Sequence, residues 1–306
     1  MIDVITSEKI GRILKPDKGI YWMSTYAGPS FAMQVDDSSL FDIYVTGRDS
    51  KNRSSIGRVR IDIENPKEII EITSDPVFSL GEKGAFDENG VSYPYLVKNG
   101  DKVFMYYVGW MPTILTPFQN HLGLALKIRN SPFIRISRAP ILERNNDDYL
   151  CTGSSCVIIE NSTWRMWYTA FTKWGKDPSE HKHYYVIKYA ESKDGINWVR
   201  NNIVCIDHQN QREYSIGRPC VLKLKDKYHM WYSYRGEQYR IGYAYSDDGI
   251  KWTRRDDLAG IDVSGDGWDS KSICYAHVFT YKDNLYMIYN GNDYGKEGLG
   301  LARLKL

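Results

Sequence analysis

Hydrophobic and polar positions along this chain alternate in short runs, and the runs repeat. A brief aromatic run returns at intervals of roughly 60 residues, the signature of a repeat architecture. Its copies are Met105-Tyr106-Tyr107, Met166-Trp167-Tyr168, Met230-Trp231-Tyr232 and Met287-Ile288-Tyr289, with Ile43-Tyr44-Val45 a weaker first copy. An apolar run precedes each of the four strong copies, at Tyr93 to Val97, Ser154 to Ile159, Arg218 to Leu224 and Tyr275 to Thr280. A polar turn such as Lys98-Asn99-Gly100-Asp101 separates the two. Leu122-Gly123-Leu124-Ala125, Ile187-Lys188-Tyr189-Ala190, Ile241-Gly242-Tyr243-Ala244 and Leu299-Gly300-Leu301-Ala302 supply a third strand. A hairpin then predicts a fourth, because Ser192-Lys193-Asp194-Gly195-Ile196-Asn197-Trp198 matches Ser246-Asp247-Asp248-Gly249-Ile250-Lys251-Trp252. Asp-Gly between two strand-like runs is a hairpin signal, since glycine accepts the positive φ of such turns. No helical period persists over three turns, which excludes a helical solenoid or an α/β fold.

Four antiparallel strands per unit describe one propeller blade. Five units begin near Phe31, Tyr93, Ser155, Pro219 and Tyr275, so the predicted fold is all-β: a five-bladed β-propeller forming a single domain over residues 1–306. The last unit stops after its third strand. A strand drawn from residues 11–23 is expected to complete that blade, joining the chain ends and removing an exposed sheet edge.

Composition sharpens this picture in one respect. Hydrophobic and charged shares of 42 % and 25 % are those of an ordinary globular protein, but aromatic residues reach 14 %, led by 24 Tyr and 9 Trp. Most must pack between sheets; the remainder offer flat faces with a polar edge, which suit sugar rings. A net charge of +2 gives no reason to expect nucleic acid or an anionic membrane as a partner. No apolar stretch has the length of a signal core or a membrane helix. Five cysteines without metal-ligand spacing read as reduced, buried thiols in a cytoplasmic protein. His181 and His183 lack a third ligand nearby, so neither metal nor cofactor is expected.

In a four-stranded blade, the lead-in to the first strand and the connection from second to third strand share one rim. Candidate residues can therefore be collected by position. The lead-ins offer Asp87, Glu88, Glu213 and Asp269, with Ser154 and Arg218 at the start of inner strands and His277 just inside the last. The connections offer Arg48, Trp110, His183, Arg235 and Asn292. Guanidinium groups and carboxylates bind hydroxyls, and aromatic faces take the C–H side of a sugar, so a carbohydrate or sugar phosphate is the expected ligand. Taken singly, each of these polar residues has a duller reading as a solvated loop residue or, for Glu213 and Arg218, a local ion pair. The connection from Phe171 to Tyr185, with Trp174, Lys176, His181, Lys182 and His183, reads as a basic flap favouring an anionic sugar.

The order of aromatic strand, Ile-Gly-Tyr-Ala strand and Ser-Asp-Asp-Gly-Ile-Lys-Trp hairpin resembles the five-bladed propeller superfamily of glycoside hydrolase families 43, 32 and 130. Arg48-Asp49 followed by Ser55-Ile56-Gly57 is similar to the mannoside phosphorylase type of family 130. The resemblance is nearest to predicted glycosyl hydrolases of bacterial polysaccharide gene clusters, and it implies action on a glycosidic bond. Families 43 and 32 carry a catalytic Asp on the first inner strand. Here that stretch reads Gly28-Pro29-Ser30-Phe31-Ala32-Met33, without a carboxylate, and the Trp-Met-Asn-Asp-Pro motif of family 32 is absent near Tyr21-Trp22-Met23. Acid and base roles therefore fall by position to Asp87, Glu88, Glu213 and Asp269, two of which should face each other in the funnel. Arg48, Trp110, Ser154, His183, Arg218, Arg235, His277 and Asn292 are the expected substrate contacts. A phosphorylase, a glycosyltransferase and a non-catalytic sugar-binding propeller are the alternatives.

Overall fold

The computed structural model describes residues 5–175 and 182–305. Lys176 and His181 of the expected flap lie outside the described residues. Regular structure within them consists of β-strands and short 3₁₀ turns. The strands fall into successive antiparallel groups of four. The first is β2 (Tyr26–Gln34), β3 (Leu40–Arg48), β4 (Ser54–Asp62) and β5 (Ile69–Ile72). The second is β6 (Gly90–Asn99), β7 (Lys102–Met111), β8 (Gln119–Ile128) and β9 (Ile134–Arg135). The third is β10 (Thr152–Glu160), β11 (Thr163–Trp174), β12 (His183–Ser192) and β13 (Trp198–Ile206). The fourth is β14 (Ser215–Leu224), β15 (Lys227–Arg235), β16 (Tyr239–Ser246) and β17 (Thr253–Arg254).

The last group, β18 (Cys274–Tyr281), β19 (Asn284–Asn290) and β20 (Leu299–Lys305), takes its fourth strand from β1 (Thr6–Leu14). Thr6 lies opposite Lys305 and Leu14 opposite Leu299, so the two ends of the chain share one sheet edge. This closing strand starts earlier than residue 11. Tyr21–Met23 is a 3₁₀ turn, because Trp22 turns inward and is buried against the first group.

The repeated aromatic run works in two directions, as the two-residue period of a strand requires. Its middle residue reaches onward: Tyr106 donates to the Gly195 carbonyl at 2.7 Å and Trp167 to Gly249 at 2.8 Å, both in the following group, and Trp231 to Ala259 at 3.2 Å, in the connection to the last group. Gly195 and Gly249 are the hairpin glycines, with φ of 74° and 73°. In the four strong copies the next residue is a tyrosine, which stays within its own group and donates to an aspartate. The third-strand glycines make room for an aromatic from the lead-in: a Cβ on Gly57 would lie 2.1 Å from the Trp22 ring, and one on Gly300 2.4 Å from Trp268. Trp198 and Trp252, at the ends of the matching hairpins, pack against the core. All five cysteines are free and buried. No helix among the described residues is long and apolar enough to cross a membrane.

The last group also touches the first. Asn290 donates to the Ala27 carbonyl at 3.0 Å, and the Tyr26 hydroxyl donates to the Tyr294 carbonyl at 2.6 Å. The inner strands β2, β6, β10, β14 and β18 thereby face a common centre, and the site is built on them.

Candidate functional site

Each inner strand slips register at one equivalent point: between Ala27 and Ser30, Ser92 and Tyr95, Thr152 and Ser155, Gly217 and Cys220, and Cys274 and His277. A bulge leaves an unpaired residue and re-aims its side chain. Proline follows in three of the strands, at Pro29, Pro94 and Pro219, where a missing amide hydrogen costs no ladder bond. The bulged Tyr93, Arg218 and Tyr275 have φ of 53°, 55° and 59°. For side chains of this size the left-handed region costs on the order of 1–3 kcal/mol each, so surrounding bonds must hold it. They do. The Tyr93 amide donates to Thr46 at 3.1 Å, the Arg218 amide to Ser154 at 3.0 Å and the Tyr275 amide to Ser233 at 2.7 Å.

All three bulged side chains line a cavity of about 530 Å³. Tyrosine is the commonest residue in its wall, at seven positions, and Trp110 joins them. Tyr93 and Tyr275 meet edge to face at 5.2 Å, and the hydroxyls of Tyr185 and Tyr239 are 2.5 Å apart. Burial pushes the phenols of Tyr93, Tyr185 and Tyr239 up, so they stay neutral donors and acceptors.

Three arginines provide the charge. Arg48, at the end of β3, sits over the rings of Tyr26 and Trp110 at 4.7 and 5.7 Å and bonds Asn52. Arg235, at the end of β15, lies over Tyr214, Tyr239 and Tyr294 at 5.2 to 5.4 Å. Arg218 is 2 % exposed. One of its terminal nitrogens donates to the carbonyls of Ser30 and Pro94, on β2 and β6. Its Nε and Nη1 have no partner, nor do Nε of Arg48 and Nε of Arg235. Burial pulls the Arg218 guanidinium down from its ordinary value, but an arginine starts so high that it remains charged. Among the described residues, no carboxylate pairs with any of the three, and none lines the cavity.

The sequence candidates therefore divide. Arg48, Trp110, Ser154, His183, Arg218 and Arg235 line the cavity. His183 packs its ring against those of Phe171 and Tyr185, at 6.0 and 5.5 Å, and Trp110 donates its indole N–H to Ser54 at 2.7 Å. Asp87, Glu88, Glu213, Asp269, His277 and Asn292 do not line it. The structure does not bring two of these carboxylates together there: Asp87, Glu213 and Asp269 pair within their own sheets. Asp87 pairs with Arg135 at 2.7 Å and accepts from Tyr107 at 3.1 Å. Asp269 pairs with Lys9 at 2.7 Å and accepts from Tyr289 at 3.0 Å. Burial alone would raise the Asp269 carboxyl, but hydrogen bonds from Lys9, Ser264 and Tyr289 leave it lowered. Glu213 takes both terminal nitrogens of Arg254 at 2.8 and 2.9 Å, not Arg218, while Asp256 receives the Tyr232 hydroxyl. Asp148 completes the pattern with Lys188, Arg200 and Tyr168. In four groups, then, a carboxylate ties a second-strand tyrosine to a base on the group's fourth strand: Arg135, Arg200, Arg254 or Lys9.

Glu88 accepts from the Gly84 amide at 2.7 Å, outside the cavity. His277 is a core residue, between Phe31 at 4.2 Å and Phe279 at 5.7 Å. Burial, and then the charge of Arg218, push it down to about 3. Asn292 accepts from the Lys271 and Ser272 amides and donates to Gly267, shaping its own loop. Tyr93 and Tyr275 were missed, although the X-Pro pairs Gly28-Pro29, Tyr93-Pro94 and Arg218-Pro219 at one repeated strand position mark three of the bulges.

No family model matches the chain. It is 37 % identical over 297 residues to the uncharacterized protein MT1551 of Mycobacterium tuberculosis (strain CDC 1551 / Oshkosh), covering 97 % of this chain and 98 % of that one. The chain belongs to the family of that mycobacterial protein. Among solved structures, one named glycoside hydrolase superposes with a TM-score of 0.76 at 19 % identity, covering 98 % of this chain and 92 % of the other. A second is from work on GH130, the family of mannoside phosphorylases containing glycoside hydrolases that target beta-1,2 mannosidic linkages in Candida mannan. It superposes at 0.72 with 14 % identity, over 98 % and 94 % of the chains. The chain accordingly shares its fold with these glycoside hydrolase structures.

Proposed function

We propose that this chain is a carbohydrate-handling protein that binds a glycan in the tyrosine-walled cavity. The carrying observation is the wall itself: Tyr93, Trp110, Tyr185, Tyr239 and Tyr275 around one recess, with phenol and guanidinium groups between the aromatic faces. That mixture serves both sides of a sugar ring. On this reading the five strand groups are the blades of one closed propeller, a single domain, and the cavity is its funnel. The buried, unpaired thiols fit a reducing, cytoplasmic setting.

Hydrolysis by paired carboxylates needs an acid and a second carboxylate across the bond. Asp87, Glu213 and Asp269 are assigned here as structural ties, so recognition without hydrolysis fits the cavity better. A transfer reaction with phosphate is the second reading. It is favoured by the three arginines, which can hold a phosphate co-substrate in place of a carboxylate nucleophile. A glycan array probed with the whole chain tests the first reading. Saturable binding that Trp110→Ala weakens about tenfold is expected, since one lost stacking face is worth about 0.5–1.5 kcal/mol beyond its burial. Array-wide silence, or binding indifferent to Trp110 and Tyr275, would remove the cavity from the account. Release of reducing sugar that persists in Asp87→Asn and Glu213→Gln would separate cleavage from those carboxylates.

A further inference from the structure

Arg218 is the least expected residue in the cavity. It is a guanidinium 2 % exposed, held in left-handed backbone, without a carboxylate among the described residues. Buried cations are ordinarily paired, because desolvation disfavours a lone charge. Two carbonyls fix one nitrogen of Arg218, and two nitrogens remain without a partner. Arg48 and Arg235 repeat the theme on the same cavity, each held over aromatic rings with Nε unpartnered. The carboxylates that would neutralise them are engaged elsewhere: Glu213, five residues from Arg218 in sequence, is taken by Arg254.

We propose that the cavity selects a sugar that itself carries an anionic group, a carboxylate or a phosphoryl, seated on Arg218 with Arg48 and Arg235 adding charge around it. This rests on the glycan reading above and narrows it to a substrate class. The volume argues that the anion is borne by the sugar. A free anion on Arg218 would leave most of the 530 Å³ and the faces of Tyr93 and Tyr275 uncovered, whereas an acidic sugar covers both. Arginine suits the task because its planar donors match either group, and low exposure strengthens each contact.

Titration calorimetry on the whole chain tests this with glucose, glucuronate, glucose 1-phosphate and inorganic phosphate, the last alone and beside glucose. One of the two acidic sugars should bind at least tenfold more tightly than glucose, with an affinity that falls as salt is added. Whichever wins identifies the anion as carboxylate or phosphoryl. Arg218→Met should erase most of that gap while the thermal midpoint holds or rises. Arg235→Gln, at the better-exposed end of the cavity, should erase a smaller part of it. Glucose binding as tightly as both acidic sugars would overturn the anionic inference and leave the glycan reading standing. Inorganic phosphate matching the acidic sugars, with glucose adding nothing, would overturn the glycan reading too. Absence of binding by all four would count against both.

Discussion

Two sets of charged residues occupy this fold, and they are treated in opposite ways. Asp87, Asp148, Glu213 and Asp269 are 1 to 7 % exposed, and each has a cation within 3.1 Å. Arg48, Arg218 and Arg235 line the cavity without such a partner. The first set is neutralised where it stands, by bases that sit far along the chain, as Asp87 and Arg135 do. The second keeps its field for something not part of the chain. Charge in the sheets supports the fold, and charge at the centre is available to a ligand.

This contrast orders the expected effects of mutation. The largest belongs to Asp148→Ala, which strands Lys188 and Arg200 at 5 % and 14 % exposure. A loss of about 3–5 kcal/mol in unfolding free energy, read by urea denaturation, is expected for a broken buried pair. A loss below about 1 kcal/mol would mean the sheets do not depend on the tie. Arg218→Met should behave in the reverse sense, because it removes a buried charge that lacks a counter-ion. Unfolding free energy should hold or rise by up to about 4 kcal/mol, and a large drop would show that the Ser30 and Pro94 carbonyls already satisfy it.

Acid should expose a third effect. Burial pushes His277 down to about 3 and His121, with help from Arg144, down to about 4. Both imidazoles are neutral when folded, and on unfolding they regain values near 6.5. Between those limits the unfolded chain binds more protons, so stability is fully present above about pH 6.5 and is lost as pH falls toward 4. His121→Gln should flatten part of that slope in a pH series of thermal midpoints; an unchanged slope would relocate the acid sensitivity. The smallest effect on stability should come from Arg235→Gln, within about 1 kcal/mol, the worth of a partly exposed cation over Tyr214, Tyr239 and Tyr294.

How much of this was legible beforehand differs between the two sets. The strand order, the hairpin glycines and the repeated units are written in local patterns: Met-aromatic-Tyr, Gly-x-Ala and Asp-Gly each recur at one position of the repeat. Of the second-to-third connections, Arg48, Trp110, His183 and Arg235 lie on the cavity and Asn292 does not. The lead-ins were not legible. Position before an inner strand does not say whether Asp87 turns toward the centre or back into its sheet. That choice is made by Tyr107 and Arg135, which sequence distance conceals. His277 misled for a similar reason, because an imidazole among Phe31, Tyr95 and Phe279 is indistinguishable in sequence from one facing solvent.

The comparison between tied carboxylates and untied arginines is tested most directly by measuring glucuronate and glucose 1-phosphate affinity for Asp87→Asn and Arg218→Met side by side. Asp87→Asn should lose stability, by about 1–3 kcal/mol for a buried charge-assisted bond, and bind as the wild type does. Arg218→Met should keep its stability and lose the acidic sugar. The opposite crossing, with binding lost in Asp87→Asn and intact in Arg218→Met, would contradict the account and return the carboxylates to the site.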